Sequence, residues 1–161
     1  MYCFGSAVTG ETRDGSDLDV AILTAGPLDV LLNKAGSIER CLKRIFEEYR
    51  GHETELESNF TRQDALLLNL LRACETSIDA AMHLVRARKL GLPQESREAF
   101  RMLEQAKLLS PELSLRLQKM VGFRTIAVHN YAALDINVVR SIVEERLDDF
   151  REFARLLISL S

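Results

Sequence analysis

From residue 28 onward, this 161-residue chain predicts an all-α fold, an antiparallel bundle of about five helices. Three observations carry that expectation. Apolar residues recur at helical spacing through five successive segments. Short polar connections separate those segments, and no strand pattern occurs after residue 28. Composition also changes abruptly at Gly26-Pro27, before which the chain is rich in Gly, Ser, Thr and Val. The chain therefore divides into a fragment over 1–27, expected to form a short hairpin-like appendage, and a helical domain over 28–161.

The first helix is predicted from Leu28 to Tyr49. Its apolar residues, Leu31, Ala35, Ile38, Leu42, Ile45 and Tyr49, form one continuous stripe. An acidic, polar loop follows from Gly51 to Phe60. Thr61 is expected to cap the second helix, with Asp64 three residues on as a variant capping box. That helix turns Leu67, Leu70, Cys74, Ile78, Ala81 and Val85 inward and is expected to stop at Gly91-Leu92-Pro93. Ser96 opens a short third helix through Phe100, Leu103 and Ala106. Ser110-Pro111-Glu112 combines an N-cap, a proline at the first helical position and a first-turn acid, so a fourth helix starts there and reaches about His129. Asp135 or Asn137 opens a fifth, whose core face is Val139, Ile142, Val143, Leu147, Phe150 and Phe153. The stripes of the first and last helices are generous enough to leave a face for a partner subunit.

Apolar residues make up 47% of the chain, enough for an ordinary core, yet no stretch approaches the roughly 20 apolar residues of a membrane span. The N-terminus lacks the basic region and long apolar run of a signal peptide. A cytoplasmic protein that does not engage membranes is expected. The three cysteines, Cys3, Cys41 and Cys74, are an odd count without close pairing, which argues against a disulfide framework. Cys41 and Cys74 fall on apolar helical faces and should be buried thiols. The net charge of −3 and pI of about 5.7 exclude a broad basic surface, so any RNA contact must be concentrated in a local cleft. His52 and His83 have no second His, Cys or paired acid at metal spacing and are expected to be structural. No metal site and no cofactor are predicted for the helical domain.

Chemistry concentrates in Val121-Gly122-Phe123-Arg124-Thr125-Ile126-Ala127-Val128-His129-Asn130-Tyr131. Arg124 offers a planar fork of donors for a phosphate. His129 can move a proton near neutral pH. Five residues apart on a helix, they stand about 140° from each other. They are therefore not an i,i+4 metal pair. Asn130 is a natural left-handed cap, so His129 and Tyr131 are placed where the helix unwinds and a turn can bring imidazole and guanidinium to one cleft. Glu75 and Asp79, one turn apart on the second helix, could face the motif and orient Arg124; a solvated helix face is the alternative.

Arg-x4-His-x-Tyr with this lead-in resembles the signature of the HepT-like toxins of the HEPN ribonuclease superfamily. The resemblance covers residues 28–161. It includes Leu31-Leu32-Asn33-Lys34-Ala35, Ile38-Glu39-Arg40-Cys41-Leu42-Lys43-Arg44-Ile45, Thr61-Arg62-Gln63-Asp64-Ala65, Gly91-Leu92-Pro93 and Arg97-Glu98-Ala99-Phe100. It implies a homodimer in which two motifs line one cleft and cleave RNA, tRNA among the candidate substrates, without metal. It implies a partner too: a minimal nucleotidyltransferase (MNT) antitoxin that silences the toxin by adding AMP to the motif tyrosine. By position, Arg124 and His129 would be catalytic, Tyr131 modified, and Thr125 and Asn130 supporting. The family commonly has Asn where this chain has Thr125, which removes an amide donor.

The segment before the helices carries a second signature. Gly5-Ser6, followed by Ser16-Asp17-Leu18-Asp19, resembles the nucleotidyltransferase pattern Gly-Ser-x-x-x-Gly…Ser-Asp-x-Asp. Gly5 and Ser6 would cradle a triphosphate. Asp17 and Asp19, two apart on a strand, would face one side and bind Mg²⁺ together. About 28 residues cannot build the usual sheet, and a lone hairpin is marginal in water. The expectation is a vestigial site in a truncated relic, with Met1 to Phe4 pairing Leu18 to Leu23 and packing on the bundle or on a second copy. Three functions stay open at this point. The first is a HEPN-type ribonuclease. The second is a non-catalytic helical subunit docking a separate nucleotidyltransferase. The third is a fused nucleotidyltransferase, which lacks a recognisable third carboxylate.

Overall fold

The computed structural model describes residues 26–129 and 134–161. The appendage over 1–25 and the turn over 130–133 lie outside them. Six α-helices follow in order among the described residues: α1 Pro27–Tyr49, α2 Phe60–Ala87, α3 Ser96–Gln105, α4 Pro111–His129, α5 Ile136–Glu145 and α6 Leu147–Ser159, with a single 3₁₀ turn at Glu53–Glu55. No described helix is long and apolar enough to cross a membrane.

Pro27 at the first position of α1 supplies a pre-set φ where the missing N–H costs nothing. The predicted stripe of α1 is buried throughout, from Leu31 to Tyr49. It meets α2, where Leu66, Leu67, Leu70, Ala73, Cys74, Ile78, Ala81, Leu84 and Val85 are buried. Two ion pairs fix the antiparallel sense. Glu48 near the end of α1 binds Arg62 at the start of α2 (3.1 Å), and Lys34 near the start of α1 reaches Asp79 far along α2 (3.6 Å). α6 closes the other side of α1 through Phe150, Phe153 and Leu157. Phe153 meets Phe100 of α3 edge-on, with centroids 5.8 Å apart. α3 joins α4 through the Ser114 hydroxyl, which donates to the Phe100 carbonyl (3.3 Å). The Tyr49 hydroxyl donates to Glu144 and ties α1 to α5. Burial, then that bond, pushes the phenol up to about 12.

The single fifth helix of the sequence reading is in fact two. The chain leaves helical geometry at Arg146 (φ −123°, ψ −3°) and restarts at Leu147, which gives six helices among the described residues. Asp148 and Asp149 then lie in the first turn of α6, where acids complement the helix N-terminus. Asp149 is gripped by Arg116 of α4 at 2.7 Å. This tertiary contact lies just past the bend.

Helix ends also differ from expectation. Asn59, not Thr61, caps α2, its side-chain oxygen accepting the Arg62 N–H at 3.1 Å. α2 ends at Ala87, ahead of Gly91, because Lys89 takes a left-handed conformation (φ 53°) that lets the Leu90 N–H reach the Val85 carbonyl. Lys107 closes α3 in the same way at φ 58°. The acidic loop between α1 and α2 is anchored by Leu56, fully buried.

Asp149 gives a pH signature. It is only 7% exposed, and burial raises its carboxyl above the usual range while Arg116 and Arg146 pull it down. A carboxyl raised on folding binds its proton more tightly in the folded state. Its contribution is therefore most favourable below the unfolded value of about 4 and is lost as pH rises through the raised value. Asp149→Asn should gain stability relative to wild type as pH climbs from about 4 towards neutrality. Urea midpoints measured across that range check it; a difference that is flat, or that moves in favour of wild type, contradicts it.

Candidate active site

The site is built on α4 and its contact with α2. α4 opens as the sequence predicts, with the Ser110 hydroxyl accepting the Leu113 N–H at 3.2 Å, and it ends at His129. Leu113, Leu117, Met120, Val121, Phe123 and Ala127 are buried and fix the rotation of the helix. That rotation turns Arg124 towards α2, where its Nη2 donates to the Glu75 carboxylate. Both side chains are about half-buried, so water screens the pair only in part. Of the two candidate acids, Glu75 pairs with the motif arginine and Asp79 with Lys34. Beneath the pair lies Cys74. Burial first and Glu75 second, opposed by Arg124, push its thiol up to about 12. Cys41 is likewise buried and free.

His129 stands exposed at the last described position of α4, about 7.5 Å further along the axis than Arg124 at the standard helical rise. The Thr125 hydroxyl donates to the Val121 carbonyl of its own helix at 3.0 Å. It is occupied there and does not replace a free amide. The described part of one chain holds Arg124 against α2 and leaves His129 exposed further along α4. A cavity of about 450 Å³ between α4, α5 and α6 is lined by Lys119, Met120 and Phe123 but by neither motif residue. Asn130, Tyr131, Gly5, Ser6, Asp17 and Asp19 lie outside the described residues. Among the described residues, no three His, Cys, Asp or Glu side chains are placed to share a metal.

One neighbour of the motif went unread in the sequence. A Cβ on Gly122 would meet the Arg97 guanidinium of α3 at 2.7 Å, so this glycine makes room for a cation across the helix. The signal was there: a glycine inside a helix costs about 1 kcal/mol against alanine and usually has a packing reason. His52 pairs with Glu55 at 2.9 Å, and His83 lies half-buried on α2, both away from the motif.

The all-helical bundle thus presents an arginine buttressed by Glu75 and, further along the same helix, an exposed histidine. A family model described as "Ribonuclease HepT-like" matches residues 38–157. The mRNA nuclease HepT of Shewanella oneidensis is 45% identical over 125 residues, covering 78% of this chain and 93% of that protein. Among solved structures, a tri-AMPylated Shewanella oneidensis HEPN toxin in complex with MNT antitoxin superposes with a TM-score of 0.77 at 42% identity, covering 81% of this chain and 98% of that one. A toxin–antitoxin complex with AMP-PNP gives a TM-score of 0.78 at 42% identity, with the same coverage. The chain belongs to the HepT-like ribonuclease family.

Proposed function

We propose that this chain is a metal-independent endoribonuclease, the toxin of a HEPN/MNT toxin–antitoxin pair, with Arg124 and His129 as its catalytic residues. The observation that carries the reading is the Arg124–Glu75 pair, which holds a guanidinium in place on the helix that ends at His129. In the reaction, His129 takes the proton of an RNA 2′-hydroxyl, and that oxygen attacks the adjacent phosphorus. The bond to the 5′-oxygen breaks, and the leaving oxygen takes up a proton. Arg124 neutralises the charge that builds on the phosphoryl oxygens. mRNA, the substrate class of the Shewanella relative, is the first candidate.

Two copies are needed to complete the cleft. α4 carries apolar side chains nearly all round, yet Leu115, Ile126 and Val128 are half or more exposed in the single chain, the last two beside His129. A helix of that character is normally covered on both faces. Packing two α4 helices together would bring both motifs to one interface. The antitoxin partner is a nucleotidyltransferase, as in the solved complexes. AMP placed on Tyr131 would set a phosphate and a purine over the cleft and exclude RNA by charge and bulk. Residues 1–27 would be a nucleotidyltransferase-like fragment outside the helical domain, and an RNA target places the protein in the cytoplasm.

The test is cleavage of an mRNA transcript by wild type beside His129→Ala. Cleavage by wild type alone supports the reading. The observation that Thr125 spends its hydroxyl on Val121 favours a second one, a non-catalytic subunit presented to a nucleotidyltransferase. Inert wild-type protein, with intact mass excluding AMP, would select it.

A further inference from the structure

The chain is acidic overall, but the charged residues lining one groove are all cations. Between α1 and α2 a depression of about 390 Å³ is lined by Ser37, Arg40, Cys41 and Arg44 from one helix and Asn69, Arg72 and Thr76 from the other. No carboxylate lines it. Several acids on adjoining turns are engaged elsewhere, Glu47 with Lys43, Glu48 with Arg62 and Glu75 with Arg124. Arg40 donates to the Ser37 hydroxyl at 2.7 Å, while Arg44 and Arg72 make no ion pair among the described residues. All three arginines line the same depression, around the buried Cys41. Arg40 and Arg44 are also i,i+4 on α1, a like-charge spacing that disfavours the helix. A polyanion bound along the groove would neutralise that repulsion.

Its place on α2 says which polyanion. Arg72 lies three residues before Glu75, and Thr76 follows Glu75 directly, so the groove and the Arg124–Glu75 pair occupy consecutive turns of one helix. We infer that the Arg40–Arg44–Arg72 groove holds the phosphodiester backbone of the RNA strand on its approach to Arg124. This rests on the ribonuclease reading and adds where the substrate runs. It also reconciles a net charge of −3 with an RNA substrate, because the positive potential is confined to a track beside the motif.

The experiment pairs Arg44→Gln/Arg72→Gln with wild type. Fluorescence anisotropy of a labelled RNA twelve nucleotides long, fully 2′-O-methylated so that it cannot be cleaved, is read against salt. The variant should bind at least tenfold more weakly, and its slope of log affinity against log salt should fall by about one per arginine removed. On a cleavable transcript KM should rise with kcat unchanged, and on a dinucleotide, too short to span the groove, both should stay at wild type. Unchanged affinity and salt slope overturn the proposal. So does unchanged RNA binding with weakened association to a nucleotidyltransferase partner, which would assign the groove to an acidic protein face. If wild type binds the methylated RNA through these arginines but cleaves nothing, the ribonuclease reading falls while the groove stands. If wild type cleaves and the double variant matches it in every respect, the reverse holds.

Discussion

Phe153→Ala is expected to destabilise the domain by about 3–5 kcal/mol, as large aromatic truncations in a closed core do. Phe153 is fully buried on α6, where that helix packs on α1, and its ring meets Phe100 of α3 edge-on at 5.8 Å. Few positions join three helices at once, so the cavity left behind has little freedom to collapse. Against a total stability of about 5–15 kcal/mol, the loss would unfold a marginal domain near physiological temperature. Urea denaturation of Phe153→Ala, Phe100→Ala and the double variant measures it. Part of each single loss should be the shared contact, so the double variant should lose less than the sum by about 0.5–1.5 kcal/mol. Strict additivity would mean that the rings do not interact.

Arg124→Ala should lower kcat by about 10²–10³-fold, the usual cost of removing one preorganised donor to a developing oxyanion. Its effect on stability should be small, because the Arg124–Glu75 pair is half-exposed and such pairs contribute about 1 kcal/mol or less. Arg124→Lys should recover little, since an ammonium cannot use both carboxylate and phosphate as a fork does. Glu75 touches no substrate in this scheme and acts as a positioning residue. Glu75→Gln should give a smaller loss, and Glu75→Gln with Arg124→Ala should be no worse than Arg124→Ala alone. Single-turnover cleavage of the four proteins, with a thermal melt of each, checks this. Equal and additive losses from the two positions would assign Glu75 a separate role.

How far the sequence could be read depended on what each feature is made of. The stripe from Leu31 to Tyr49 is a local, periodic property, and it is buried as predicted. The cap at Ser110 is equally local and holds. The break at Arg146 was invisible, because Val143, Leu147 and Phe150 keep the 4-3 spacing of an unbroken helix, and the Arg116–Asp149 contact beside it comes from another helix. Lys89 and Lys107 were missed as helix stops because left-handed turns are expected at glycine, and here the returning hydrogen bonds outweigh the side-chain cost. Leu56 was missed because a lone leucine in an acidic loop has no period. At the site, Arg124 and His129 were legible as types at a spacing, and Glu75 as a face that could meet Arg124. Which acid would turn inward was not, because Lys34 decides the fate of Asp79 from a different helix.

The measurement that bears most directly on the account is the chemistry of the cut ends. An mRNA transcript is treated in EDTA with wild type and with His129→Ala, and the products are analysed for their termini. Attack by the 2′-hydroxyl with His129 as base predicts a 2′,3′-cyclic phosphate beside a 5′-hydroxyl, formed at full rate in the chelator and lost in the variant. Cleavage that requires a divalent ion, that leaves 5′-phosphates, or that survives His129→Ala would contradict it.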